Sequence, residues 1–129
     1  MEELKGRDLV VMAGGLGLAP LRSVLMKASR SKTKSNRTAL VYGARQPDEI
    51  LFHDEMAGWA EAGIDIKLTV DRATKDWQGS VGLVTHLIPL AQFEANNTVA
   101  FLCGPEVMMR FAAGALEDAG VPADRIWLS

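Results

Sequence analysis

Two short stretches of this chain carry residue types from which an anion site can be built. The first is Gly14-Gly15-Leu16-Gly17-Leu18-Ala19-Pro20, which follows the apolar run Asp8-Leu9-Val10-Val11-Met12-Ala13. Glycines admit positive φ and let a backbone approach a ligand closely. A helix that starts just after them points its free N–H groups and the positive end of its dipole at the loop. Pro20 is expected at the first helical position, where its missing N–H costs nothing. Strand, Gly-Gly-x-Gly-x-x-Pro and helix, in that order, form a variant of the dinucleotide fingerprint. Gly14, Gly15, Gly17, Leu18, Ala19 and Pro20 are therefore candidate pyrophosphate contacts. A β-branched residue at Gly17 is expected to block that anion far more than it harms folding. Taken alone, such a loop also reads as a tight turn with no ligand.

The second stretch is Cys103-Gly104-Pro105-Glu106, again an apolar run, glycine, proline and the start of a helical pattern. A buried structural cysteine is its simpler reading, because free cysteine packs like a small hydrophobe. A protein-tyrosine-phosphatase loop is excluded by spacing: it needs arginine where this chain has Met109, and Arg110 falls one position too far.

The elements that must position these stretches alternate from end to end. Apolar runs predict strands over 8–13, 38–42, 64–70, 98–103 and 125–128. Leu21, Val24, Leu25 and Ala28 form one helical stripe; Phe52, Met56 and Trp59 form a second, opened by Pro47-Asp48-Glu49 and stopped by Gly63. After a loop over 71–82, Val84, Leu87 and Ile88 are expected inward on a short helix closed by Pro89. Met108, Phe111, Ala112 and Ala115 mark the last helix, which Gly120 ends. The reading is an α/β domain with an open, doubly wound, five-stranded parallel sheet in the order 3-2-1-4-5, helices on both faces. In that order the first and fourth strands are neighbours, and both glycine-proline loops flank the switch point where such a sheet holds its ligand.

Composition narrows the classes. The chain has 129 residues, 48% of them hydrophobic, a net charge of -2 and one cysteine. That length suits one domain spanning 1–129. The charge argues against a general nucleic-acid surface, and no apolar run approaches the ~20 residues of a membrane span. One cysteine excludes an internal disulfide and a multi-cysteine metal site, and fits a cytoplasmic location. Neither His53, beside Asp54, nor His86 has a partner visible in sequence. Trp59, Trp77 and Trp127 read as packing, although Trp77 follows Asp71 closely enough to border an adenosine. The run Lys27, Arg30, Lys32, Lys34, Arg37 reads as a solvated connector, with a docking patch for an acidic partner as its functional alternative.

The loop from Gly14 to Pro20, Tyr42-Gly43-Ala44-Arg45 and Cys103-Gly104-Pro105 together resemble the nucleotide domain of the ferredoxin–NADP reductase superfamily. Ile50-Leu51-Phe52-His53-Asp54-Glu55-Met56 and Gly104-Pro105-Glu106-Val107-Met108-Met109 are most similar to the gamma subunits of nickel–iron hydrogenases and sulfhydrogenases. The resemblance implies a domain that passes hydride between NAD(P)H and an FAD bound by a separate barrel domain. Cys103 would lie beside the reacting nicotinamide carbon and is the one catalytic candidate; Gly104, Pro105 and Glu106 would border the nicotinamide end. Subunits of this type also hold a [2Fe–2S] cluster in a cysteine-rich tail. Both barrel and tail are expected only in a full-length protein, with hydrogenase or other electron-transfer subunits as partners.

Val70-Asp71-Arg72 falls where NADP-specific members of that superfamily place a serine and an arginine on the 2′-phosphate. A carboxylate there repels a phosphate and accepts bonds from ribose hydroxyls, which favours NAD. Arg45 and Arg72 would suit a phosphate and keep NADP open. The rival reading from another class is a module that senses a nucleotide or phosphometabolite without redox chemistry.

Overall fold

Strand β1 (Asp8–Gly14) is buried along its whole length, because it lies at the centre of the sheet with a neighbour on each side and a covered surface on each face. The computed structural model describes residues 6–30 and 36–129. Its other strands are β2 (Thr38–Ala44), β3 (Ile64–Val70), β4 (Ser80–Val81), β5 (Thr98–Cys103) and β6 (Ile126–Leu128). All pairs are parallel, in the order β4-β3-β2-β1-β5-β6. Alternating side chains of β1 therefore feed two cores. Val11 and Ala13 join the face covered by α1 (Leu18–Ser29) and α2 (His53–Glu61). Val10 and Met12 join the face covered by α3 (Glu106–Ala119) and the turn Val84–Leu90. Strand β1 leads into the helix of one face and β5 into the helix of the other, so the connections diverge between them.

The expected order holds, with one addition and three local corrections. The loop expected over 71–82 contains β4, a two-residue edge strand bonded to Thr69 and Val70. So short a strand has no period-2 signal; backbone pairing makes it, with Gly82 N–H donating to the Val70 carbonyl and Thr69 Oγ1 to the Gly82 carbonyl. The short helix expected to close at Pro89 is a 3-10 turn that includes it. β-branched Val84, Thr85 and Ile88, and the missing Pro89 N–H, disfavour α-helix there. Phe111 is not inward: it is 69% exposed, because Met108, Ala112 and Leu116 fill the arc facing the sheet. Phe52 precedes α2 rather than standing within it.

Asp8 ties the amino end of the sheet together, accepting from the N–H groups of Arg37 and Glu94 at 2.9 and 2.7 Å. Trp59 is buried and Trp127 half exposed. Trp77 lines a groove of about 440 Å³ beside β3, with Ile66, Leu68, Ser80, Leu87 and Leu90. His53, His86, Lys27, Arg30 and Arg37 are exposed; Lys32 and Lys34 lie outside the described residues. Among the described residues no helix is long and apolar enough to cross a membrane.

Candidate functional site

The two glycine loops meet at the carboxyl ends of β1 and β5, paired in register up to Ala13 and Cys103. Their contact depends on three absent side chains. A Cβ on Gly17 would fall onto the carbonyl of Cys103 and lie 2.9 Å from the Gly104 nitrogen. A Cβ on Gly104 would come within 3.1 Å of the Gly14 nitrogen and 2.7 Å of the Met108 sulfur, which would also meet a Cβ on Gly14 at 2.5 Å. Met108 thus lies against both loops from α3. This overturns the expectation that a side chain at Gly17 would harm folding little, because its place is taken by the Cys103 backbone. Gly15 is the open position: it is exposed, adopts φ +57, and a Cβ there would meet nothing within 4 Å.

After β1 a single 3-10 turn (Gly15–Gly17) leads directly into α1. Pro20 is third in α1, not first; the first four N–H groups of a helix have no partner within it, so the proline is still tolerated. Ala19 and Pro20 are exposed while Leu18 is fully buried, so Leu18 anchors the turn in the core and can offer a ligand only its backbone. Cys103 is a half-buried free thiol, Gly104 is half-buried, and Pro105 caps α3 in an exposed position. Glu106 opens α3 and pairs with Arg110 one turn on at 2.9 Å, both largely exposed. Such a pair contributes little to stability.

Arg45, Asp71 and Arg72 come together at the ends of β2 and β3. Past the last ladder pair, Ala44 with Val70, the N–H of Asp71 donates to the Ala44 carbonyl at 3.1 Å and that of Arg72 to the Arg45 carbonyl at 2.8 Å. All three side chains are exposed on this rim, Arg45 two strands out from β5 and its Cys103, Asp71 and Arg72 three.

Several residues here were given no role in the site by the sequence. Tyr42, the chain's one tyrosine, is fully buried; its hydroxyl donates to the Gly15 carbonyl at 2.8 Å and accepts from the Leu51 N–H at 3.3 Å. Burial pushes its pKa up, against the Leu51 bond, which pulls it down. Arg22 on α1 grips Glu55 of α2 through Nη2 at 2.7 Å and Nε at 3.1 Å, and lies 5.1 Å over the Phe52 ring. Its bond to Glu55 pushes the guanidinium pKa further up. Phe52, at φ 56, is the one non-glycine residue with positive φ among those described. The apolar run over 38–42 predicts a buried strand that carries Tyr42, but hydroxyl partners depend on how distant loops are brought together.

Residues 11–114 match the family model of the oxidoreductase NAD-binding domain. The chain belongs to that family. It is 34% identical, over 142 residues, to sulfhydrogenase 2 subunit gamma of Pyrococcus furiosus, a match covering 100% of this chain and 49% of that protein. With sulfhydrogenase 1 subunit gamma of the same organism the identity is 32%, covering 100% and 45%. The cytochrome b5 reductase domain of Ulva prolifera nitrate reductase superposes with a TM-score of 0.85 at 26% identity, over 95% of this chain and 48% of that one. The chain spans about half the length of the curated relatives it matches. The fold is that of the ferredoxin–NADP reductase superfamily, and the matches favour an oxidoreductase module over a non-redox sensor.

Proposed function

We propose that this domain holds a nicotinamide dinucleotide across the switch point, with its pyrophosphate on the turn after β1 and its nicotinamide beside Cys103. The observation that carries the reading is the contact between the two glycine loops. Gly17 lies on the Cys103 carbonyl, so the start of α1 and the thiol at the end of β5 border one surface. Gly15, exposed and left-handed, leaves backbone open to an anion at that surface. Arg45, Asp71 and Arg72 form the rim that an adenine ribose would reach. In the whole polypeptide, FAD on a separate domain would accept or return the hydride, which is the chemistry the flavin supplies. The residues of this chain bind the dinucleotide, set the distance of its ring and exclude water from one side of it. Hydrogenase or related electron-transfer subunits, in the cytoplasm, are the proposed partners, in keeping with the names of the sulfhydrogenase relatives; a [2Fe–2S] cluster would belong to the tail of such a full-length protein.

Titration of the domain with NADH, followed by nicotinamide fluorescence, tests the reading. Saturable binding that ADP-ribose competes away is expected; no binding at millimolar NADH would overturn it. Asp71 is the proposed selector. Asp71→Ser removes a charge that repels a 2′-phosphate and leaves Arg72 beside it to pair with one. The NADPH-to-NADH affinity ratio is expected to rise about fivefold, on the order of 1 kcal/mol for one contact near a surface. An unchanged ratio would assign selection to Arg45 instead.

A further inference from the structure

Gly15 is the residue of the turn with the least to hold it in place. It has no side chain, it is exposed, and its φ of +57 is one of several conformations open to glycine. Its carbonyl is nevertheless fixed, because the Tyr42 hydroxyl donates to it at 2.8 Å from a fully buried position. Among the described residues every peptide bond is trans. In a planar trans peptide the C=O of one residue and the N–H of the next point in opposite directions. A Gly15 carbonyl drawn inward therefore sends the Leu16 N–H outward, at a residue that is itself 80% accessible.

The clamp is itself anchored. The Tyr42 oxygen accepts from Leu51, and the next residue, Phe52, is held in its left-handed conformation with its carbonyl bonded to the Glu55 N–H at 2.9 Å. Arg22 spans Phe52 and Glu55 from α1, the helix that the turn begins. The contacts close a ring from the start of α1 through Gly15, Tyr42, Leu51, Phe52 and Arg22 back to α1. We propose that Tyr42 is a positioning residue: its hydroxyl sets the Gly15–Leu16 peptide so that the Leu16 N–H faces the pyrophosphate. The inference rests on the dinucleotide reading above and adds the residue that aims the turn.

The test compares wild type with Tyr42→Phe, which removes the hydroxyl and leaves the ring in the core. Dissociation constants are measured by NMR titration for NADH, ADP-ribose and adenosine. A positioning role raises the constants for NADH and ADP-ribose about three- to tenfold, as expected for one hydrogen bond, and leaves adenosine unchanged. Loss of affinity for all three alike would mark a general loosening of the core and overturn the proposal, as would no change for any. Wild-type protein alone supplies a second readout: the Leu16 amide should move among the most on addition of ADP-ribose and little with adenosine. A Leu16 amide that ignores ADP-ribose overturns the proposal even if Tyr42→Phe does not fold. Wild type that binds no NADH at all would remove the dinucleotide reading, and this inference with it; wild type that binds while Tyr42→Phe binds equally removes only the inference.

Discussion

Gly17→Val is expected to destabilise the native fold and not merely to lose its ligand. The first atom of the new side chain would land on the Cys103 carbonyl, and the Gly104 nitrogen stands 2.9 Å away. Neither can rotate aside, because both are backbone at the end of β5, in the middle of the sheet. Overpacking a core typically costs about 1–3 kcal/mol, and a clash with backbone belongs at or above the top of that range. For a domain of this size the melting temperature should fall by roughly 10 °C or more. Gly15→Ala is the matched control. Its Cβ meets open space, so only the left-handed backbone is strained, at roughly 1–2 kcal/mol, and the domain should remain folded. Thermal unfolding followed by circular dichroism distinguishes them. A Gly17→Val protein that melts like wild type while losing NADH would mean that the two loops are not in contact.

Cys103→Ala should show the opposite pattern, an intact fold with slow chemistry. The thiol ends β5 beside the turn, half-buried and free, and the proposed nicotinamide lies against it. Loss of a sulfur that sets the distance of the ring can cost ~100-fold in rate, since small displacements near reacting atoms are amplified. Affinity should change little, because the pyrophosphate and the adenosine end would supply most of it. The measurement requires the domain together with the flavin-binding domain proposed above, mixed with NADH in a stopped-flow instrument. A limiting rate of flavin reduction that falls steeply at a nearly constant dissociation constant is the expected result. If neither changes, Cys103 is a core residue at a strand end and nothing more.

The strand order and both glycine loops were legible in the residues themselves. Apolar runs that stop at glycine mark strands buried on both faces, and the i, i+3, i+4 stripe of Leu21, Val24 and Leu25 marks a helix packed on one side. These are local periodicities, and right-handed crossovers leave few ways to assemble them. The features that escaped depend on contacts between segments far apart in the chain. Strand β4 exists because Ser80 and Val81 find a free edge on β3, which no two-residue pattern could announce. Phe111 fits the stripe of α3 by spacing yet faces solvent, because Ala112 and Leu116 already fill the arc against the sheet.

The same division runs through the site. Glycine at position 17 is apparent from the motif, but what it makes room for is not: the neighbour is the Cys103 carbonyl, 86 positions along the chain. Tyr42 can be placed in a buried strand by its apolar run, whereas its bonds to Gly15 and Leu51 require two loops folded over one strand end. Residue types and their spacing determined where the glycine loops lie and which strands carry them. Tertiary structure alone decided which glycine is open to solvent and which is closed against its neighbour, because steric exclusion and hydrogen bonding act at contact distance, and contact is made only by the folded chain.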